Sequence, residues 1–583
     1  MASERTVGTA ILDLLAQHGV DVVFGLPGVH NLAFWSADPG GSGHAPVRIV
    51  GVRHEQACAY AADGYARATG RLGVALTTTG PGAANALAAF GEAAVSGAPI
   101  LLISSDVSTA LRSPDGPRGI LHEMADQAAP FAALGRPART VASAEEALTA
   151  VAEGIELALA APRGPAYVGI PSDILSSRWD GPLPSIDVPA APAATPGQVS
   201  DLAARIAASA RPILWSGGGV AQAGPQGEAA VRALAERLGA PVVTTYAGRG
   251  VMAGHDLAIE TSTHEPEVDA LIGEADLIVV VGSGFDAMHT KNWKMSLPQQ
   301  RVAISLGDEV GRTIDWDLLI QADLVRTIDA VLAELPDAAR TPWASIGVRD
   351  RVRERLLADE RTAPAVRFVD AIDTWPRDGV IVTDMCIPGY WTSSHGRQPR
   401  PRRLLNPVGW GTLGYALPAA IGPAASGVPT LAVCGDGGPM FALGELAALV
   451  QEQLPVTLLV VDDGGYGMLR YDQQVLGHPQ RGVDLVTPDW EVLARAFGMD
   501  FAEVTAADAD AAASAADAAA GADAASAADA ASSADAAEAL REALAAAAQR
   551  PGPSLILQRT LFYPPASTSP RWFEAAVGPR ETA

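Results

Sequence analysis

Short apolar runs alternate with helix-patterned stretches along most of the chain. VVF at 22–24, GVALTTT at 73–79, PILLISS at 99–105 and AYVGIP at 166–171 are apolar runs of strand length. Between them, Glu55 to Thr69, Ala84 to Val95 and Ala144 to Ala160 read as helices. This alternation predicts a doubly wound parallel sheet with buried strands. The pattern recurs from about 198 to 340 with PILWSGG, APVVTTY, LIVVVGS and RVAISLG. It recurs again from near Arg367 with GVIVTD, PTLAVCGD, VTLLVVDD and, at the end, PSLILQ. Three consecutive α/β domains are therefore expected, over 1–180, 198–340 and 366–565. A Pro-rich stretch from Pro182 to Pro196 and a charged, loop-rich stretch at 336–365 connect them.

One segment breaks the pattern. From Ala506 to about Ala536 the chain is Ala, Asp and Ser with no apolar face to bury. Its composition predicts a mobile insertion between a strand and the last helix, where the core resumes with EALREALAAAA. The N-terminal residues MASERTVGTAILDLLAQHG read as an amphipathic helix, not a signal peptide. No apolar run is long enough to span a bilayer.

Composition narrows the partners. A length of 583 residues calls for several domains, and 48% hydrophobic residues are ample for buried sheets. The net charge of −25 repels phosphate polyanions, which argues against nucleic acid and anionic membrane surfaces. Cys58, Cys386 and Cys434 are odd in number and far apart. They make neither a disulfide framework nor a metal pattern, so a cytoplasmic setting is expected.

Three clusters carry the candidate chemistry. VRHEQACAYAADGYARATG at 52–70 puts Glu55 at a helix start, where a carboxylate also complements the helix dipole. TTTGPGAAN at 77–85 runs a strand into a Gly-Pro-Gly turn, which allows close backbone approach to a ligand. AVCGDGGPMFALGEL at 432–446 and LLVVDDGGYGM at 458–468 are two strands that each end in acidic residues. The C-terminal ends of parallel strands are where ligands sit in open sheets. Two acidic oxygens there suit Mg²⁺, which is commonly shared with phosphates. Gly437 and Gly438 would let backbone N–H groups approach a diphosphate at a helix N-terminus.

Together the clusters resemble the thiamine-diphosphate enzymes that include acetolactate synthase, benzoylformate decarboxylase and pyruvate decarboxylase. The resemblance covers nearly the whole chain outside the Ala-rich insert. It implies a pyrimidine-binding, a central and a diphosphate-binding domain, and homodimers or homotetramers with cofactor sites between subunits. It implies thiamine diphosphate and Mg²⁺ as cofactors. Glu55 matches the glutamate that hydrogen-bonds N1′ of the aminopyrimidine and so promotes loss of the C2 proton. Asp436 matches the first metal ligand, Asp463 the second, and the Gly465 carbonyl the third. Most relatives have Asn where Asp463 stands, so one negative charge is added beside the diphosphate. Gly411 matches the carbonyl that accepts from the 4′-amino group, and Leu413 the wedge beneath the bent cofactor. Thr79, Gly437, Gly438 and Met468 fall at cofactor-binding positions, and Leu469 and Gln127 at the substrate pocket.

The reaction is narrower than the family. The central stretch lacks the Met-Leu-Gly-Met-His-Gly and Phe-Asp-Asp-Arg patterns that accompany FAD in acetolactate synthases. AIETSTHEPEV at 258–268 and GSGFDAMHTKN at 282–292 stand there instead, so FAD is not expected. GLPGVHNLAFW at 25–35 and GILHEMADQ at 119–127 look like 5-guanidino-2-oxopentanoate decarboxylase. His30 and His122 would then lie at the thiazolium and act on protons. Glu123 and Asp126 are candidate partners of a cationic tail, and Arg470 stands against one. Non-oxidative decarboxylation of a 2-oxo acid is the leading reading. An acetolactate synthase-like carboligase and a non-catalytic homologue are the rivals.

Overall fold

The computed structural model of the protein describes residues 5–36, 47–344, 347–407, 409–504 and 522–568, with backbone alone at 522–532. Three six-stranded sheets follow one another, all with parallel pairing. From edge to edge, the first runs Arg48–Gly51, Val22–Gly25, Gly73–Thr77, Ile100–Asp106, Ala166–Pro171, Ala138–Thr140. The second runs Leu318–Ile320, Gln300–Ile304, Leu277–Val281, Pro212–Ser216, Val242–Thr244, Ala258–Ile259. The third runs Leu404–Leu405, Val380–Thr383, Thr430–Gly435, Val456–Asp462, Ser554–Arg559, Asp500–Val504. Helices cover both faces, which is the doubly wound arrangement expected. Each apolar run of the sequence is an inner strand, and the strands the pattern leaves unmarked are the sheet edges. Apart from the two-residue Leu404–Leu405, the edge strands are partly exposed, as Ala138–Thr140 and Asp500–Val504 are, so they lack the continuous apolar signature.

The third sheet lies between the other two domains. One apolar cluster joins Phe24, Tyr60 and Phe90 to Leu417, Val460 and Trp490. Another joins Trp215 and Val280 to Phe368, Trp391 and Leu459. The first contact is a helix crossing of small residues. A Cβ added at Gly64, in the helix Glu55–Thr69, would stand 2.0 Å from the Ala419 carbonyl oxygen. One added at Gly422, in the helix Ala416–Ala425, would stand 2.2 Å from that of Ala61. A buried polar group seals the crossing. Tyr415 donates to Asp63 at 2.5 Å, and Arg67 donates to Tyr415 at 3.0 Å and to the Asn406 carbonyl at 2.8 Å.

The Ala-rich stretch departs from expectation. A helix spans Ala522–Ala548, so it starts well inside the segment read as an insertion before the helix. Ala tolerates helix even among Asp and Ser, and the helix is anchored from its other end. Ala537, Leu540, Leu544 and Ala547 are buried, on the side of the helix Ala363–Ile372. Residues 505–521, the rest of the expected insertion, lie outside the described residues. Among the described residues no helix is long and apolar enough to cross a membrane.

Candidate active site

Glu55 is the first residue of its helix because His54 caps it, the imidazole accepting from the Gln56 N–H. The carboxylate is largely buried, and Asn85 Nδ2 donates to Oε2 at 3.0 Å. Gly82 lies against it, so that an added Cβ would stand 3.1 Å from Oε1 and 2.7 Å from Thr78 Cγ2. The turn is left-handed at Gly80, with φ 60°, and an added Cβ there would meet the His122 carbonyl oxygen at 2.3 Å. Glycine is thus needed for conformation and for room.

Gln127 sits beneath this turn. Its Oε1 accepts the Gly80 N–H at 2.7 Å, and its Nε2 donates to the Ser105 carbonyl and to the Tyr167 hydroxyl. Both ends of the amide are engaged and the residue is buried, so it braces the turn. Thr79 likewise turns its hydroxyl inward, 2.9 Å from that of Ser105. His122 is held at φ 69°, a left-handed conformation costly for a residue with a Cβ, and its Nδ1 is buried without a partner. The His30 ring packs edge-on against it, with centroids 5.6 Å apart. Burial, and then the neighbouring His122, hold the His30 pKa below its ordinary value.

In the third sheet, adjacent strand ends each deliver an acid: Asp384, Asp436, and the pair Asp462-Asp463. Their roles differ. Asp384 is a buried brace that accepts from Met385, Gly414 and Ala416 N–H groups, and so shapes the loop carrying Gly411 and Leu413. Asp462 is spent on Trp490 Nε1, Thr487, the Gly464 N–H and Arg559. Asp436 and Asp463 are different, since Asp436 Oδ2 and Asp463 Oδ1 are buried with no hydrogen-bond partner. Burial, then the facing Asp463 and Asp462, push Asp436 up to about 7. Burial pushes Asp463 up to about 6, against the opposing pull of Arg470. Two orphaned buried carboxylate oxygens require a cation or protons.

The surrounding backbone is shaped to match. Gly465 turns with φ 155° beside the Val483 carbonyl, and a Cβ at Gly467 would strike Asp463 Oδ2. The Gly437 N–H donates to Asp436 Oδ1 at 3.1 Å. No α-helix starts at Gly437-Gly438. A single 3₁₀ turn, Pro439–Phe441, follows, the backbone leaves helical geometry at Ala442, and the helix begins at Glu445. The expected helix N-terminus is therefore replaced by a turn. Gly411 is left-handed, and Leu413 is half-buried yet joins none of the hydrophobic cores among the described residues. Met468 is half-buried against a core, while Leu469 is 50% exposed. These residues fit a Mg²⁺–diphosphate group, with Asp436, Asp463 and the Gly465 carbonyl as the oxygen set.

Arg470 does not project into the site as a free cation. It donates to the carbonyls of Asp463 and Gly464 and to Asp484, and lies 3.8 Å from Asp463 Oδ1. Glu123 and Asp126 are not free either. Glu123 Oε2 accepts from the N–H groups of Arg118, Gly119 and Ile120, and Asp126 accepts from those of Ala128 and Ala129. Sequence reasoning missed Asn85, Asp384 and the latch by Arg470. The shared strand-end acid in GVIVTD, AVCGD and VVDD was a signal for Asp384.

The Arg53 N–H, two residues before Glu55, donates to Glu445 on the helix that follows the Asp436 turn, and among the described residues no hydrogen bond or ion pair joins Glu55 itself to Asp436, Asp463 or Gly465. Exposed apolar side chains lie in both regions, Val29, Leu32 and Leu121 in the first domain, Met440, Phe441 and Leu476 in the third.

Comparison with known proteins matches the three domains in order. The thiamine pyrophosphate enzyme N-terminal TPP binding domain matches residues 5–129, the central domain 199–335 and the C-terminal TPP binding domain 386–524. A protein named "Probable 2-ketoarginine decarboxylase" from Pseudomonas aeruginosa is 33% identical over 85% of this chain and 88% of its own length. The acetolactate synthase large subunit of Corynebacterium glutamicum is 30% identical over 87% and 84%. A probable acetolactate synthase large subunit of Methanocaldococcus jannaschii is 28% identical over 86% and 87%. The chain belongs to the thiamine pyrophosphate enzyme family.

Proposed function

We propose that the protein decarboxylates a 2-oxo acid without oxidation, releasing an aldehyde and CO₂, with thiamine diphosphate and Mg²⁺ as cofactors. The orphaned oxygens of Asp436 and Asp463 at neighbouring strand ends carry the cofactor part of this reading. When bound, the cofactor supplies the electron sink for loss of CO₂. The chain supplies the rest. Glu55, steadied by Asn85, is a carboxylate positioned to hold a proton at the aminopyrimidine N1′. Asp436, Asp463 and the Gly465 carbonyl hold the metal, and Asp384 fixes the loop of Gly411 and Leu413. His122 and His30 are the proton donors nearest the Gly80 turn.

5-Guanidino-2-oxopentanoate is the donor to test first. Support comes from the named Pseudomonas relative and from the engagement of Arg470, whose charge is spent on the metal loop. The acetolactate synthases among the relatives keep carboligation as the second reading. Absence of FAD fits the way the two central stretches close on each other: Thr263 donates to the His289 carbonyl, and His289 is tied to Asp286 and to the Tyr246 N–H. A homo-oligomer is supported by the exposed apolar side chains of the first and third domains, which a second copy would cover. The deciding experiment incubates pure protein with thiamine diphosphate, Mg²⁺ and a panel of 2-oxo acids. CO₂ and aldehyde in equal amounts are expected. Acetohydroxy acid as main product would establish the carboligase instead.

A further inference from the structure

Asp472 is a carboxylate for which the fold offers no use. It lies on the helix Gly467–Val475, immediately after the metal loop. Three and four residues separate it from Leu469 and Met468, so the three share one helical face. Its Oδ1 is buried with no hydrogen-bond partner, and no ion pair reaches it among the described residues. Burial alone raises its pKa. The nearest function-bearing surface is the one already described. The charge of Asp472 reaches the Tyr390 hydroxyl, which also feels Cys386 and Asp384. Tyr390 stands on the helix Ile387–His395, whose lead-in residues Met385 and Cys386 border Gly411 and Gly435. Asp472 therefore stands on the rim of the diphosphate half-site, on the helix that also presents Leu469.

Apart from Asp436 and Asp463, whose free oxygens are assigned to the metal, the other acids around the two half-sites are engaged. Asp384, Glu123 and Asp126 hold backbone N–H groups, Asp462 holds Trp490 and Arg559, Asp106 holds Arg112, and Asp463 faces Arg470. A buried carboxylate oxygen left unpaired is costly, so a cationic ligand group that pairs with it gains in binding.

We infer that Asp472 receives the cationic tail of the 2-oxo acid. The inference rests on the decarboxylase reading and names its substrate class: a 2-oxo acid ending in a guanidinium or ammonium group. A guanidinium satisfies the carboxylate with two parallel N–H donors, so it is preferred over an ammonium. A neutral tail leaves the carboxylate unpaired, and a site built for polar pairing discriminates strongly against the substrate that cannot pair.

The test uses the holoenzyme with two substrates of one shape, 5-guanidino-2-oxopentanoate and its neutral counterpart 5-ureido-2-oxopentanoate. Wild type is expected to favour the guanidino acid in kcat/KM by about 100-fold, the size of a charge-assisted pair. Asp472→Asn should lower that value about 100-fold, mainly through KM, and raise the value for the ureido acid. Asp472→Glu should keep the direction of the preference. A melting curve shows that each variant is folded, and Asp472→Ser replaces any that is not. If the wild type prefers the guanidino acid and Asp472→Asn keeps the same preference, the cation is bound elsewhere and the inference is overturned, with the decarboxylase reading intact. If wild type releases CO₂ only from neutral acids, the inference again falls and the reading stands. If no 2-oxo acid yields CO₂, the reading itself falls.

Discussion

Arg470 Nη1 lies 3.8 Å from Asp463 Oδ1 while the same guanidinium grips the carbonyls of Asp463 and Gly464. The carboxylate that stands where the resemblance leads one to expect an amide thus comes with its own counter-charge, and the cation is also the latch of the loop. Removing Arg470 leaves two carboxylates facing an anionic diphosphate. Arg470→Met is expected to weaken thiamine diphosphate binding at saturating Mg²⁺ by about tenfold, near 1.4 kcal/mol. Asp463→Asn in that background should restore part of the loss. Asp463→Asn alone should bind Mg²⁺ more weakly, by roughly tenfold, and stay active when Mg²⁺ saturates. Calorimetric titration of cofactor and metal measures all three, and equal effects of Arg470→Met in both backgrounds would reduce Arg470 to a backbone latch.

Glu55→Gln should keep the fold, because Asn85 finds an amide oxygen where it found a carboxylate oxygen. It should slow exchange of the cofactor C2 proton by orders of magnitude, because an amide cannot transfer a proton to N1′. NMR-detected C2–H/D exchange measures this directly. An unchanged rate would remove Glu55 from the chemistry.

The metal pair sets a pH dependence with a definite sign. Burial and mutual repulsion raise Asp436 to about 7 and burial raises Asp463 to about 6, both from an ordinary 3.8. A raised acid stabilises the folded, metal-free protein fully below about 3.8 and loses that contribution as pH climbs through 6 and 7. The metal-free protein should therefore lose melting temperature across that window. Mg²⁺ with cofactor displaces the protons, so the gain in melting temperature on loading should grow with pH over the same range. Melting curves at pH 5.5 to 8, roughly spanning both values, decide it. A loading effect flat with pH would mean that other groups hold the metal.

Much of this was legible in the chain and some was not, for physical reasons. Inner strands such as Thr430–Gly435 are buried on both faces and announce themselves as apolar runs. Edge strands such as Arg48–Gly51 do not, because half of their surface needs no apolar residue. Asp436 and Asp463 stand out in the sequence as acids at strand ends, whereas Glu55 takes its expected role only from the family resemblance. Asp384 and Asp472 could not be sorted by spacing, since what distinguishes them is whether neighbours satisfy their oxygens. The same holds for Gln127 and Thr79, whose polar ends turn inward to Gly80 and Ser105.

The long C-terminal helix gives a stability prediction. Leu544 is 1% exposed among Ala365, Phe368 and Val369. Leu544→Ala should cost about 2–5 kcal/mol, the range for a buried leucine with an unfilled cavity. Denaturant unfolding should show a lower midpoint. A change below about 0.5 kcal/mol, typical of surface sites, would mean that the helix does not pack there.

On the decarboxylase reading, His122 is expected to decide what leaves the enzyme. After CO₂ is lost, the remaining carbon either takes a proton and departs as aldehyde or adds to a second carbonyl. A donor close by favours the aldehyde, and a slow proton leaves time for the second carbonyl. His122 is positioned for this by unusual means. Its backbone is held left-handed at φ 69°, its carbonyl lies over Gly80, and its Nδ1 is buried without a partner, so the ring's other nitrogen is the one left to act. His30 packs edge-on against it, and burial, then the neighbouring His122, hold the His30 pKa below its ordinary value. His122→Ala should lower aldehyde formation by about 10²-fold or more, within the range for loss of a general acid, and raise the acyloin fraction. His30→Ala should act in the same direction and more weakly, because His30 works through its contact with the His122 ring. Product ratios from the same holoenzyme preparation, scored for aldehyde, acyloin and CO₂ together, separate this from simple loss of activity. An unchanged ratio in His122→Ala, with a larger shift in His30→Ala, would move the proton donor to His30.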